Sequence, residues 1–185
     1  MGFEFGKFWR SKEKNNIRDN ERITVRQGRD TPEDREAARA LMQETFEYHE
    51  RLGIGELGLT FKPSSQVSYM EECLSALLYG DSGNETVRAL LAFRGKKAVG
   101  FALVRIIRDY YYTLDSYGYI EQLIVTEHAR QQGVGALLLE NCYDWLKSRR
   151  IHSATLKVYA PNRDALRFYQ REGFSHLRHE LIKHF

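Results

Sequence analysis

The stretch Arg130-Gln131-Gln132-Gly133-Val134-Gly135 lies between an apolar run typical of a strand and a long amphipathic helical pattern. Such a turn points backbone amides outward at the positive end of a helix, where phosphate binds readily. Gly133 and Gly135 leave room for an anion and permit the φ angles of a tight turn. The alternative is an ordinary strand-to-helix turn. The stretch is not a dinucleotide fingerprint, because Leu138 stands where a third glycine belongs, and it lacks the Gly-Lys-Ser/Thr of a P-loop.

Hydrophobic periodicity on both sides of this turn predicts a mixed α/β fold. A helix between two strands of one sheet favours a parallel connection, so strands 119–125 and 154–159 should be parallel. In the second helix the predicted apolar stripe is Val67, Met70, Leu74, Leu77 and Leu78. The predicted elements are strand 23–26, helices 33–52 and 66–79, an antiparallel pair of strands 87–93 and 98–107, strand 119–125, helix 134–147, strand 154–159, helix 162–172 and a closing hairpin over 174–185.

A second spaced pattern lies downstream, Asn162-x-x-Ala165-x-x-Phe168-Tyr169-x-x-x-Gly173-Phe174. Together with the strand, Arg-x-x-Gly-x-Gly turn and long helix, it resembles the signature of the GNAT superfamily of acetyl-CoA-dependent N-acetyltransferases. The resemblance implies a mainly antiparallel central sheet with a bulged parallel pair at its centre and helices on both faces. It implies an N-acetyltransferase domain over 23–185. Residues 1–22 lie outside the resemblance and are predicted to be an N-terminal appendage, because the polar stretch 10–22 has neither helical nor strand periodicity.

The resemblance also implies how acetyl-CoA is held. Backbone groups of the strand before the turn would bond the pantetheine arm, and the turn itself would hold the pyrophosphate. Asn162 is expected to cap the last helix, as its position after Pro161 indicates, and to touch the pantetheine. The implied cofactor-binding residues are Leu123, Ile124, Val125, Arg130, Gln131, Gln132, Gly133, Val134, Gly135, Ala136 and Asn162.

Two side chains are candidates for acid–base catalysis. Glu121 lies two residues from Leu123 along the predicted strand, so Glu121, Leu123 and Val125 should share one face. A protonated amine must lose a proton before it attacks a thioester, and Glu121 resembles the base of the family at this strand. The alternative role for Glu121 is a surface ion pair. Tyr169 matches the tyrosine that protonates the departing thiolate, with aromatic packing of the last helix as its alternative.

The implied reaction is direct acetyl transfer to a primary amine. The resemblance implies that the acceptor is bound by two segments, 53–65 and 109–117. They contain Glu56, Tyr110, Tyr111, Tyr112 and Asp115. Carboxylates with aromatic faces suit a cationic small molecule such as a polyamine or aminoglycoside, and also a peptide or protein amine. A non-catalytic acyl-CoA-binding regulatory module is the alternative function.

Length, charge and residue spacing limit the further classes of protein and partner that are expected. The chain has 185 residues, which suits one domain, and a net charge of +3 without a run of five like charges, so nucleic acid is not an expected partner. No window approaches the ~20 apolar residues of a membrane span, so a cytoplasmic protein without membrane attachment is expected. The histidine and cysteine spacings predict no metal site, and Cys73 and Cys142 are expected to be buried thiols. A homodimer is left open.

Overall fold

The computed structural model describes residues 22–58, 62–79, 85–111, 113–183 and 185. The predicted appendage, apart from Arg22, and the turn expected at 80–84 lie outside the described residues. Within the described parts of the chain, none of the helices combines the length and apolarity that crossing a bilayer requires.

A five-stranded sheet carries the fold, with its strands in chain order. Neighbouring strands are antiparallel except for the last two, which are parallel, so the predicted mixed sheet and its parallel crossover are confirmed. The parallel pair lies at one edge of the described sheet and not at its centre as expected, because the described residues after β5 add no further strand. The strands are β1 (Ile23–Gln27), β2 (Val87–Arg94), β3 (Lys97–Arg108), β4 (Ser116–Val125) and β5 (Ala154–Leu156), and the helices are α1 (Pro32–Arg51), α2 (Pro63–Ser75), α3 (Val134–Ser148) and α4 (Arg163–Arg171).

Helices cover both faces of the sheet. On one face α1 and α2 pack against Phe101 and Leu103 of β3, and on the other α3 packs against Ala102 and Val104. The alternation follows from the period of two along a strand. The odd-numbered and even-numbered residues of β3 thus point to opposite helical layers. Strand β3 is therefore buried on both faces and lies at the centre of the molecule.

The start and end of α1 follow from local chemistry. Thr31 accepts a hydrogen bond from the amide of Asp34 at 3.2 Å, and Pro32 occupies the first helical position. Gly53, with a φ of 69°, follows the last turn in the left-handed conformation that glycine adopts without strain. The boundaries predicted for this helix are confirmed to within one residue.

The predicted apolar stripe of α2 is partly wrong. Met70, Leu74 and Leu77 are buried, whereas Val67 is 61% exposed and Leu78 is 52% exposed. The α-helix ends at Ser75 and a 3₁₀ turn continues over Ala76–Tyr79, which changes the angle between successive side chains and turns Leu78 outward.

The C-terminal part of the chain also departs from prediction. Strand β5 spans three residues, shorter than the predicted 154–159. The predicted hairpin over 174–185 is wrong, since its described residues, 174–183 and 185, contain no strand. Leu177 and Leu181 in this segment are 73% and 94% exposed. A hairpin that buries no apolar face is marginal in water, and these leucines have no packing to gain from pairing.

Candidate active site

Strand β4 carries a bulge at Glu121. On β3, Leu103 is paired with Gln122 and the next residue, Val104, with Ile120, so Glu121 is the extra, unpaired residue. On its other edge β4 pairs with β5 only over Gly118–Ile120. The two parallel strands therefore separate at the bulge, as the family resemblance implies.

The bulge reverses which face each side chain occupies. Ile120 belongs to the core under α3, but Ile124, an even number of residues later, belongs to the core under α1 and α2. Glu121 contacts α2, whereas Leu123 and Val125 pack on the α3 side. The expectation that Glu121 shares a face with Leu123 and Val125 is wrong, because an inserted residue interrupts the period of two.

Five side chains, Tyr69, Cys73, Arg105, Glu121 and Gln122, form a polar cluster between α2 and the bulge; we call it the Glu121 cluster. Arg105 of β3 donates from Nε to Oε2 of Glu121. The Cys73 thiol lies 3.9 Å from the other carboxylate oxygen, and the Gln122 amide donates to the Tyr69 hydroxyl at 2.7 Å. The Glu121 side chain is 12% exposed. It is thus an enclosed, ion-paired carboxylate at the point where the strands separate.

The neighbours of Glu121 in this cluster hold their protons. Burial, reinforced by the charge of Glu121, raises the pKa of the Cys73 thiol to about 12. Burial, with Cys73 and Glu121 nearby, also raises the pKa of the Tyr69 hydroxyl. Both groups are therefore uncharged at neutral pH.

The backbone of β4 beyond the bulge offers hydrogen-bonding groups to a ligand. The amide of Thr126 donates to the carbonyl of Val99 at 3.0 Å, which fixes the alternation along the antiparallel pair. By that alternation the peptide groups of Ile124 face β3, while those of Leu123 and Val125 face the gap left by β5. Leu123 and Val125 are thus placed for the predicted pantetheine contacts, whereas the peptide groups of Ile124 are engaged by β3 and do not face the gap.

The turn from Arg130 to α3 leaves backbone amides without partners inside the helix. Gln131, with a φ of 59°, and Gly133, with a φ of 80°, both adopt the left-handed conformation. Gly133 caps α3 without a side-chain hydrogen bond, and the first bond into it runs from the amide of Leu137 to the carbonyl of Gly133 at 3.0 Å. The amides of Val134, Gly135 and Ala136 therefore have no partner within the helix. The exposed turn has the donors and the dipole that a pyrophosphate requires.

Glycine is needed at positions 133 and 135 for different structural reasons. At Gly133 an added Cβ would meet no atom within 4 Å, so the left-handed backbone accounts for this glycine. At Gly135 an added Cβ would lie 3.0 Å from the ring of Phe168. The expectation that Gly135 makes room for an anion is therefore supplemented by another reason, since its missing side chain lets α4 pack on the start of α3.

Helix α1 also contacts the turn and the residues that precede it. The Arg130 guanidinium lies 4.3 Å from the ring centroid of Tyr48, and its Nε donates to the carbonyl of Val125 at 3.2 Å. Glu44 accepts from the amide of Glu127 at 2.8 Å. Arg130 therefore orients the turn through these contacts, in addition to any direct contact with phosphate.

Asn162 and Tyr169 lie on α4. Asn162 is buried and accepts from the amide of Ala165 at 3.2 Å, so its predicted cap role is confirmed. The Tyr169 ring packs edge-on against Phe174 with centroids 5.7 Å apart, and burial, with Tyr143 nearby, raises the pKa of its hydroxyl. The described contacts of Tyr169 come from α3, α4 and the residues after it, while those of Glu121 come from α2 and β3.

The region expected to receive the acceptor is open. Tyr110 and Tyr111 are 81% and 98% exposed, and the loop that carries them is closed by a bond from the amide of Asp109 to the carbonyl of Asp115 at 2.7 Å. Glu56 is exposed in the turn after α1. Tyr112 and residues 59–61 lie outside the described residues.

Sequence reasoning missed Tyr69, Cys73, Arg105 and Gln122. Tyr69 and Cys73 are four residues apart on α2, a spacing that places them on one helical face, and this was the signal available. The partner of Glu121 had no such signal. Arg105 lies 16 residues from Glu121 in sequence and meets it only through the pairing of β3 with β4.

Comparison with known proteins defines the class. Residues 60–174 match the Acetyltransferase (GNAT) family. The match spans more than half of the chain, and the chain belongs to this family of acetyltransferases. The expected GNAT fold is confirmed, and acetyl-CoA is the cosubstrate of this class. Among curated protein sequences there is no significant match.

Solved structures share the fold at low sequence identity. A transcriptional regulator from Bacillus halodurans is 24% identical with a TM-score of 0.59, and the alignment covers 89% of this chain and 100% of that one. The PaiA N-acetyltransferase from Thermoplasma acidophilum, in complex with coenzyme A, is 19% identical with a TM-score of 0.64, covering 83% and 90%. An aminoglycoside acetyltransferase from an uncultured soil metagenomic sample, in complex with trehalose, is 15% identical with a TM-score of 0.56, covering 88% and 95%.

Proposed function

We propose that the chain is an N-acetyltransferase that moves an acetyl group from acetyl-CoA to a primary amine of a cationic small molecule, of the polyamine or aminoglycoside kind. The observation that carries the proposal is the arrangement around the bulge of β4. Uncapped amides at the start of α3 lie beyond one end of this segment, the open peptide groups of Leu123 and the amide of Val125 run along it, and the carboxylate of Glu121 lies at its other end.

The residues present fit the cosubstrate, which supplies an activated thioester. The amides from Gln131 to Ala136 take the pyrophosphate at the positive end of α3. The peptide groups of Leu123 and the amide of Val125 bond the pantetheine arm in the gap where β5 no longer pairs. This path leads the thioester toward the bulge, next to Glu121.

Glu121 acts as the base in this proposal. An ammonium entering from the side of α2 meets a carboxylate whose second oxygen is held by Arg105, which fixes its orientation. Glu121 accepts the proton of the ammonium, directly or through water, and frees the lone pair that attacks the thioester carbonyl. The neutral hydroxyl of Tyr69 and amide of Gln122, which are bonded to each other, lie beside this path and can orient the amine.

Tyr169 is the proposed acid. Burial raises the pKa of its hydroxyl, which is protonated at neutral pH, and its place in the Asn162-to-Gly173 pattern makes it the donor that we assign to the leaving thiolate. Tyr169→Phe removes this proton while keeping the ring that packs on Phe174. We expect turnover to fall by about 10² with little change in melting temperature. Turnover within about twofold of wild type would exclude the acid role, and a large loss with a lower melting temperature would indicate packing instead.

The proposed acceptor class is based on the carboxylates and aromatic rings of the expected acceptor region. A turnover screen tests it. Asp109 and Asp115 lie in one loop with the exposed rings of Tyr110 and Tyr111, and Glu56 is exposed in the turn after α1. Carboxylates and aromatic faces both attract cations. The solved relatives include an aminoglycoside acetyltransferase, which favours the same class. Release of coenzyme A thiol should be measured with polyamines, aminoglycosides, amino acids and peptides with free N-termini. Turnover with peptides alone would overturn the small-molecule assignment.

A non-catalytic acyl-CoA-binding regulatory module is the second candidate, favoured by the ion pair that engages Glu121 and by the structural likeness to a transcriptional regulator. Tight binding of acetyl-CoA by calorimetry, with no turnover on any amine of the panel, would support this candidate. Absence of binding at millimolar cofactor would remove both.

A further inference from the structure

The β2–β3 hairpin lies beside the turn that precedes α3. Gly100 of β3 is paired with Val125 at the end of β4, so the hairpin tip lies at the same end of the sheet as the start of α3. Arg94 at the end of β2 donates to the side-chain oxygen of Gln132 in that turn. A surface cavity of about 580 Å³ lies at the hairpin and is lined by Arg94, Gly95, Lys96, Lys97, Val99 and His128.

The hairpin concentrates positive charge that the described residues leave without a carboxylate partner. The pair Arg35 and Arg39 of α1, by contrast, is neutralised by Glu71, to which the two guanidinium groups bond at 2.8 and 2.7 Å. Within the described part of the chain, none of the ion pairs involves the three cations of the hairpin, and both lysines are exposed. The three cations are Arg94, Lys96 and Lys97. We call Arg94–Lys97 the basic hairpin, and its field is available to an anionic ligand.

The ligand bound next to it in the proposed function is itself a polyanion. Coenzyme A carries a pyrophosphate and, one ribose away, a 3′-phosphate that 3′-dephospho-coenzyme A lacks. The amides from Gln131 to Ala136 account for the pyrophosphate. Lysine ammonium groups bind phosphate as mobile point charges, so Lys96 and Lys97 suit a terminal, partly solvated phosphate better than an enclosed one.

We infer that the basic hairpin binds the 3′-phosphate of coenzyme A and so selects coenzyme A over its dephosphorylated form; the inference rests on the proposed function. Arg94, held by Gln132, fixes the hairpin to the pyrophosphate turn. Lys96 and Lys97, which line the cavity, supply the positive charge that attracts the 3′-phosphate.

Calorimetric titration with coenzyme A and with 3′-dephospho-coenzyme A tests the inference on three proteins. We expect the wild-type chain to bind coenzyme A about tenfold more tightly, roughly one charge-assisted contact. The double variant Lys96→Ala/Lys97→Ala should lose this preference and bind the dephosphorylated form as the wild type does. The control Lys147→Ala/Lys183→Ala removes two exposed charges elsewhere and should keep the preference. Raising the salt from about 50 to 300 mM should reduce the preference in the wild type.

Each other outcome overturns one of the two proposals. Equal wild-type affinity for the two ligands, or an equal loss for both in the hairpin variant, overturns the inference and leaves the proposed function intact. A wild-type chain that binds neither ligand refutes the proposed function itself. Both lysines are exposed, so the double variant is expected to fold. If its melting temperature falls, the single variant Lys96→Ala, at the turn itself, serves in its place and should lose part of the preference.

Discussion

Replacement of Glu121 by glutamine separates its two roles, as base and as ion-pair partner. The change keeps the shape of the side chain but removes its charge and leaves the guanidinium of Arg105 without a carboxylate. As the proposed base, Glu121 should contribute about 10² to 10⁴ to turnover. Glu121→Gln should therefore lose at least about 10² in kcat at saturating acetyl-CoA, with cofactor affinity nearly unchanged, because the cofactor contacts come from backbone groups.

The loss of folding stability in Glu121→Gln can be estimated from the exposure of the ion pair between Arg105 and Glu121. The side chains of Arg105 and Glu121 are 27% and 12% exposed. Exposed pairs contribute about 0.2–1 kcal/mol, and removal of one partner from a buried pair costs about 3–5 kcal/mol. A partly enclosed pair lies between these limits, so we expect a loss of about 2 kcal/mol. For a chain of this length that lowers the melting temperature by about 4–8 °C.

Glu71→Gln is the matched control, because it makes the same chemical change on α2. Glu71 is 45% exposed and bonds to two arginines of α1, so its loss should cost less than about 1 kcal/mol and leave turnover unchanged. Steady-state thiol release and thermal unfolding should be measured for both variants and the wild type. Turnover of Glu121→Gln within about twofold of wild type would refute the base assignment. A melting temperature equal to that of Glu71→Gln would refute the energetic role of the buried pair.

Three further predictions concern the turn, the thiols and pH. Gly133→Val should weaken acetyl-CoA binding in a folded protein, because a side chain at a φ of 80° costs at least about 1–2 kcal/mol and reshapes the turn; wild-type affinity by calorimetry would place the pyrophosphate elsewhere. Cys73 and Cys142 should resist a thiol reagent in native buffer and react in denaturant, since both are buried and burial raises each pKa to about 12; rapid native labelling would contradict this. Stability should fall as the pH drops below 6.5, because burial lowers the pKa of His49 below that ordinary value and the unfolded chain binds the proton more tightly. His49→Phe, which keeps a ring against Tyr159, should flatten the pH dependence of the unfolding free energy in urea, and an unchanged slope would count against His49 as the cause.

The turn before α3 shows what local patterns predict well. The glycine spacing, the preceding apolar run and the amphipathic helix are all encoded within a short stretch, and the structure confirms the turn, the helix and the parallel crossover. The N-cap at Asn162 is equally local, since it depends on one side chain and an amide three residues away. By contrast, the hairpin predicted after Gly173 needed partners that the fold does not provide.

The amino-acid sequence by itself determined the order of the elements, the position of the glycine-containing turn before α3 and the identity of the acidic residue in the strand before it, because periodicity and turn chemistry act over a few residues. Tertiary structure alone decided where Glu121 points. Its bulge arises from the register between β3 and β4, and its neighbours Arg105 and Cys73 lie 16 and 48 residues away in sequence. The bond between Glu44 and the amide of Glu127 spans 83 residues. Such contacts depend on packing between distant segments, which no local pattern specifies.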